Sequence, residues 1–449
     1  MQILRFSVEN HGSFRDESSL SLVSSRLRTV SPPDGDWGSY VGRVAAIYGA
    51  NASGKTQFID ALRFFRAVVA QSSTGWATAK SFPNPVFQLD GESKTRPATY
   101  VMDVLIEDIR YQYGFSLSRS KVLREWLFDY RHGRQRVLFE RRGLEVTFGR
   151  ALKGGETAVS RGLRELELVL SRGAFVANDQ LGLVAHYITE HIDLASFGDF
   201  SREERLRTLI TDLAEGELSI ADIQTMLRVA DVGIVGASVA TRDNDPAFEK
   251  MIRTMLEATN GDEFEADELE EFMARFTRFL MFEHAGLDGE THRLSSSAQS
   301  SGTLTWLSLA VPAIARLRAG GVFVVDELDA SLHPQLAQVM IHMFKDPDVN
   351  PFQAQMIFTT HDTYFISAAS EESLSADEVF LVEKSAGGAS ELFSLSDFPV
   401  RKDHNLARRY LHGRYGAVPA VAPSYLKSLV VGPRYEEDGH AQADEVDAK

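Results

Sequence analysis

The 449-residue sequence contains no cysteine, which excludes a disulfide framework, a thiolate metal site and a cysteine nucleophile. Long apolar runs are also missing. The longest candidate, Leu304 to Ala315, is interrupted by Thr305, Ser308 and Pro312. It falls short of the roughly 20 apolar residues that a spanning helix needs. The opening MQILRFSVEN alternates like a strand and has no basic-then-apolar leader. A soluble, cytoplasmic chain with no membrane partner is therefore expected. Positive charge is in deficit: 47 basic against 63 acidic residues give a formal charge of −16. That balance argues against a protein coated for wrapping nucleic acid, but a local basic groove remains compatible with it.

What is present suits a folded protein of two or three domains, or one large domain with an insertion. Strand-like alternation runs through Ile3, Phe6 and Val8, through Leu20 and Leu22, and through Val44 to Tyr48. A hairpin is expected around Glu107 and Asp108, with strands continuing to about Phe148. Residues 160–285 are rich in Leu, Glu, Arg and Ala and predict short helices at 160–172, 180–195, 201–214, 219–229, 246–259 and 265–281. The one strand signal there is Val232 to Ala240. No heptad persists long enough for a long coiled coil. Beyond residue 300, helices at 303–318, 334–345 and 363–369 alternate with strands at 322–325, 355–359 and 378–382, the pattern of a parallel sheet covered by helices. The last fifteen residues are polar and read as disordered.

Gly49-Ala-Asn51-Ala-Ser53-Gly54-Lys55-Thr56 matches GxxxxGK[ST] between a strand and a helix predicted over 57–71. Such a loop turns backbone N–H groups toward phosphates, Lys55 reaches the β- and γ-phosphates, and the Thr56 hydroxyl can ligate Mg²⁺. In Gly320-Gly-Val-Phe-Val-Val-Asp326-Glu327, an apolar strand ends in two carboxylates that would point into the same crevice. Asp326 would hold Mg²⁺ through water, and Glu327 would polarise the attacking water. His361, in Thr-Thr-His361-Asp362, ends the next apolar strand within reach of a γ-phosphate, although a histidine there is also an ordinary surface residue. Ser300-Ser301-Gly302-Thr303 precedes an apolar helix and offers either an anion site or a plain N-cap.

Taken together, GANASGKT, LSSSAQSSGT, VFVVDELDASLHP and TTHD occur in the order used by ABC-type ATPase heads of the SMC, Rad-fifty and RecF kind, and the chain resembles them. The opening ILRFSVENHGSF is similar to the first strand and turn of those heads. The stretch Tyr410-Leu-His-Gly413-Arg414-Tyr415-Gly416-Ala-Val-Pro419 resembles a narrower group. These are the stand-alone ABC-type ATPases of bacterial phage-defence and abortive-infection operons, relatives of the ATPase half of the overcoming-lysogenisation-defect (OLD) nucleases. The resemblance implies an α/β P-loop head in two parts, 1–159 and 286–425. Between them lies a mainly helical insertion, 160–285, serving as a dimerisation or partner arm, and an acidic tail follows at 426–449. It also implies ATP and Mg²⁺ as cofactors and a composite site. Gly49, Asn51, Ser53, Gly54, Lys55 and Thr56 of one subunit would bind ATP, and Ser301 and Gly302 of a second would close over the γ-phosphate. Asp329 would lie in the loop linking the two sites, and His361 would sense the γ-phosphate. The signature departs from Leu-Ser-Gly-Gly, which leaves open which serine contacts phosphate. Gln88 is a candidate for the metal-side glutamine between lobes, against an ordinary strand residue. No clear arginine finger is visible.

The implied function is a slow, regulatory ATPase that forms homo-oligomers, senses infection through a phage trigger protein and controls a separate nuclease or toxin effector. The 88 residues after His361 hold no second carboxylate cluster of the kind a fused metal-dependent nuclease needs. A RecF-like DNA-repair ATPase is the competing expectation, and a transporter subunit is weakened by the signature. Charge bears on that choice. Residues 119–172 carry thirteen basic against seven acidic residues, including Arg131, Arg134, Arg136, Arg141 and Arg142. This is either a nucleic-acid or acidic-protein surface or a solvated hairpin face. Residues 262–271 carry seven acids, most simply a solvated helix start.

Overall fold

Alternation in the first 150 residues produces an antiparallel sheet, and the later alternation of helix and strand produces a parallel one. The computed structural model describes residues 1–24, 26, 27, 31, 32, 35–131, 133–196, 198–216, 218–230, 233–241, 246, 250–254, 273, 277–330, 332–370, 372–401 and 404–418. The chain runs β1 (Gln2–Glu9), β2 (Ser18–Ser21), β3 (Val44–Gly49), α1 (Lys55–Gln71), β4 (Ala98–Ile106), β5 (Ile109–Leu117), β6 (Val122–Arg131), β7 (Arg134–Arg142) and β8 (Glu145–Phe148). It continues through α2 (Glu156–Ser160), α3 (Val169–Phe175), α4 (Asp179–Glu190), β9 (Ile192–Ala195), α5 (Asp199–Glu215), α6 (Ile220–Ala230), β10 (Ile234–Thr241), β11 (Arg278–Ala285) and β12 (Thr291–Ser295). The last part holds α7 (Ser301–Ala319), β13 (Val322–Val325), α8 (Pro334–Lys345), β14 (Gln355–Thr359), β15 (Val379–Lys384), β16 (Ser390–Ser394) and α9 (Leu406–Leu411).

One sheet has the order β2-β1-β4-β5-β6-β7-β8 and is antiparallel throughout. The second has the order β16-β15-β3-β14-β13-β9, parallel except at the β16 edge. Strand β3 is buried on both faces. Its Ala45 and Ile47 join the core shared with α1 and the antiparallel sheet, while Val44, Ala46 and Tyr48 join the core under α7 and α8. That is why the strand reads as a continuous apolar run. The two sheets are pinned by buried Gln355, whose Oε1 accepts from Ile3 N at 2.6 Å. Its Nε2 donates to the carbonyls of Ile3 and Gly42, each at 3.0 Å. The β4–β5 hairpin turns at Glu107 and Asp108, both in the left-handed region at φ 49° and 61°, as a two-residue hairpin turn requires.

Several helical expectations stop short. The helix expected over 180–195 ends at Glu190, and Ile192–Ala195 instead pairs in parallel with β13 as an edge strand. The 160–172 segment is divided between two short helices by a turn, and 363–369 is one 3-10 turn, Thr363–Ile366. Residues 278–281, assigned to a helix, belong to β11 in a separate three-stranded antiparallel sheet, β10-β11-β12. Here Leu280 and Phe282 alternate inward, and so short an apolar run fits either period until partners decide. Gln88 lies in an irregular segment rather than a strand. Most of 246–259, all of 262–271 and the tail from residue 419 lie outside the described residues. Among the described residues no helix is long and apolar enough to cross a membrane.

Part of the basic 119–172 segment is paired from within. Arg141 is fully buried against Glu125 at 3.4 Å, and Glu125 also accepts from Tyr113 and the Val169 and Leu170 amides. Burial raises the Glu125 pKa, and Arg141 is the main opposing influence. Arg131 and Arg136 both pair with buried Asp129, and Arg164 and Arg172 both pair with buried Glu167. Arg141 and Glu125 join the antiparallel sheet to Glu167 and the start of α3, while Arg134, Arg142, Arg150 and Arg161 stay exposed. Removing one member of a buried pair strands the other, at a cost of about 3–5 kcal/mol. Arg141→Met is expected to lower stability by about that amount, read as a fall in the urea midpoint. An unchanged midpoint would show that Glu125 needs no partner.

Candidate functional site

The parallel register sets the site. β13, β14 and β3 end side by side, with Val325 opposite Phe358 and Thr359 opposite Ile47. The polar residues that follow therefore emerge together at the carboxyl edge, where open α/β sheets hold ligands. A cleft of about 940 Å³ opens there, and its walls include Asn51, Ser53, Gly54, Lys55, Thr56, Glu327 and His361.

The loop before α1 is tightly built. Ala52 and Gly54 have φ of 61° and 120°. A Cβ on Gly54 would sit 2.6 Å from Ser390 Oγ and 2.7 Å from Ser13 Oγ. Those hydroxyls clamp the loop: Ser390 Oγ donates to Ser53 O and lies 2.8 Å from Ser13 Oγ. Lys55 is 6% exposed. Its Nζ donates to Gly49 O at 2.8 Å and Ala50 O at 3.2 Å and lies 3.4 Å from His361 Nδ1. Burial lowers its pKa, opposed by Glu327, Asp326 and Asp329. The ammonium is thus held on neutral carbonyls in the cleft, which suits exchange onto a phosphate.

Asp326 Oδ1 accepts from Thr359 Oγ1 at 2.6 Å and from Thr56 Oγ1 at 3.3 Å. The same Thr359 hydroxyl accepts from Glu327 N at 2.7 Å. One side chain on β14 therefore holds two consecutive residues of the loop after β13. Glu327 adopts φ 56°, a left-handed conformation that a non-glycine residue keeps only when its surroundings impose it. Asp329 Oδ2 accepts from His361 N at 3.2 Å, and its Oδ1 is buried with no partner among the described residues. Behind His361, Tyr48 donates to Asp362 O at 2.9 Å. Tyr410, from the 410–418 stretch, packs on Tyr48 and donates to Ala417 O at 3.1 Å.

The first β1 turn supplies the opposite wall. Buried Asn10 donates to the carbonyls of Ser93, Arg96 and Pro97 and accepts from Phe87 N at 3.2 Å. It thereby holds the segment that brings Gln88 and Leu89 to the cleft. Gln88 is exposed and folds its amide onto Val86 O at 2.8 Å.

Ser301 and Gly302 are not among the cleft walls. They form the first turn of α7, where the cap is Ser300, accepting from Thr303 N at 3.1 Å. Ser301 is left exposed. Thr359, Ser13, Ser390 and Asn10 escaped sequence reasoning. Thr359 had a signal as the first residue of TTHD, and Asn10 and Ser13 lie in the ILRFSVENHGSF stretch; Ser390 acts only through long-range contacts.

The site fits Mg-ATP. The cleft presents a buried ammonium, a glycine whose missing Cβ leaves room for the clamp, and a buried Ser53 Oγ without a partner among the described residues. It also carries hydroxyl and carboxylate oxygens of the hard type that Mg²⁺ prefers. Gly54→Ala forces a Cβ into the clamp at an unfavourable φ, at about 1–3 kcal/mol of strain. Nucleotide affinity is expected to fall by about tenfold or more, one decade per 1.4 kcal/mol, in a titration with a fluorescent nucleotide. Wild-type affinity would sink this account of the loop.

Among solved structures, the SmcHead bound to the C-winged helix domain of ScpA is similar at 14% identity, covering 88% of this chain and 97% of that one, with a TM-score of 0.45. The SMC head domain from Thermotoga maritima is similar at 14% identity, covering 88% of this chain and 99% of that one, with a TM-score of 0.38. No curated protein matches the sequence. The family model described as "AAA domain, putative AbiEii toxin, Type IV TA system" matches residues 44–150 and 178–367. Those ranges hold the Gly49–Thr56 loop, Ser301, Asp326, Glu327 and His361, and with more than half of its length matched, the chain belongs to this family of ATPase domains.

Proposed function

We propose that the chain is a Mg²⁺-dependent ABC-type ATPase that forms nucleotide-sandwiched homo-oligomers and governs a separate nuclease or toxin effector in antiviral defence. The observation carrying the sandwich is the separation just described. Lys55, Glu327 and His361 share a cleft that the Ser301–Gly302 turn does not enter, and that turn sits exposed at the start of a 19-residue helix. A second copy would supply it, so that neither half-site is complete alone and ATP joins two subunits. The family description carries the toxin–antitoxin element of the proposal. The internal pairing of Arg131, Arg136, Arg141, Arg164 and Arg172 reduces the free basic charge of 119–172 and so weighs toward it over a DNA-repair role.

The residues divide the work. Gly49, Asn51, Ser53, Gly54 and Lys55 hold the phosphates, and Thr56 with Asp326 would hold Mg²⁺, with Gln88 on the facing wall. Bound Mg²⁺ would supply charge neutralisation at the phosphate oxygens. The Thr359 contact and the left-handed backbone at Glu327 support a role for its carboxylate in orienting and deprotonating the attacking water. Asp329 fixes the backbone before His361, so the loop that would meet a second subunit is tied to the γ-phosphate sensor. The 160–285 insertion is the proposed arm for a partner.

Glu327→Gln is expected to keep ATP binding and trap a closed assembly. Light scattering should then show a mass increase with Mg-ATP, and no change in mass or shape with nucleotide would end the sandwich reading. Thr359→Val keeps the volume but leaves the Glu327 amide and Asp326 without the hydroxyl, at about 1–3 kcal/mol. Hydrolysis should fall by about 5- to 150-fold with nucleotide affinity near wild type. Equal loss of affinity and rate would mean that Thr359 serves the fold rather than Glu327.

A further inference from the structure

Glu327 lines a second, smaller cavity of about 270 Å³, behind the nucleotide cleft. Its other walls bring Arg202 and Arg205 of α5 to Ser196, at the end of β9, and to Asp326. Arg205 Nη1 donates to Ser196 O at 2.9 Å, a neutral acceptor, and its Nε is buried with no partner among the described residues. Burial lowers the Arg205 pKa, and the neighbouring Arg202 adds to the effect. Two guanidinium groups have thus been gathered in a space too small for a nucleotide but ample for a tetrahedral oxyanion, which their planar forks match.

We propose that this cavity is a binding site for inorganic phosphate, in which Arg202 and Arg205 take the phosphate released in the adjoining cleft. The proposal rests on reading that cleft as a site of ATP hydrolysis. The two carboxylates on the wall oppose an anion. Asp326, however, is committed to Thr359 and Thr56, and the two guanidinium groups stand on the same wall to offset the carboxylates. Helix α5 also buries Leu209 and Ile210 in the core beneath α7 and β11. Occupancy behind Glu327 would therefore be felt in the insertion, giving α5 a means of reading the post-hydrolysis state.

Inorganic phosphate titrated calorimetrically into the full chain tests the site without hydrolysis. Lys55→Ala disables the loop before α1 and should leave phosphate binding intact. Adding Arg202→Gln and Arg205→Gln in that background should weaken it by about tenfold or more, while Arg205→Lys, keeping a cation, should retain most of it. Complete loss with Lys55→Ala alone, or no further loss in the triple variant, overturns the proposal. If the glutamine variants fold poorly, hydrogen exchange on Lys55→Ala decides: phosphate should protect amides within 198–206, and absent protection counts against the site. Failure of the hydrolysis reading would show separately, as no phosphate formed from Mg-ATP by the wild-type chain.

Discussion

The hydroxyl of Thr359 is the contact on which the site depends. It donates to Asp326 and accepts from the Glu327 amide, so a single group sets where both carboxylates stand. That is possible only because β13 and β14 run parallel and end at the same level. Had either strand slipped by one residue, the side chains after it would have swapped faces. Lys55 could then not share a cleft with Glu327. The left-handed backbone at Glu327 is the local cost of this arrangement, and the neighbouring strand sustains it.

The antiparallel sheet makes the other half of the cleft and is kept rigid by buried polar groups. Gln355 ties β1 to the parallel sheet, Asn10 carries the Gln88 segment, and Glu125 with Arg141 anchors the sheet to α3. Each such group is costly unless satisfied, and each is satisfied by residues far away in the chain. The result is a wall held in place opposite the Gly49–Thr56 loop.

The insertion is less separate than its composition suggests. It lends β9 to the edge of the parallel sheet, and α5 reaches the back of Glu327. The 160–285 segment thus supplies part of the wall around Glu327. The 410–418 stretch behaves likewise, backing Tyr48 and hence the Asp362 loop beside His361.

The sequence alone marked out the groups that the cleft brings together. Gly49–Thr56, Asp326-Glu327 and His361 are legible because each follows an apolar strand, where backbone geometry leaves few alternatives for small, basic or acidic residues. It also determined most strands of the first 150 residues and the alternation after residue 300, since their periodicities are local. Tertiary structure decided the rest. Ile192–Ala195 became a strand because β13 offered it a parallel edge, and Arg278–Ala285 because β10 and β12 pair with it antiparallel. Arg131, Arg136, Arg141, Arg164 and Arg172 became internal ties because Asp129, Glu125 and Glu167 are folded against them. Thr359, Arg202 and Arg205 acquired their places only when distant segments met. Local pattern reports what a residue can do, and the folded partners determine which of those things it does.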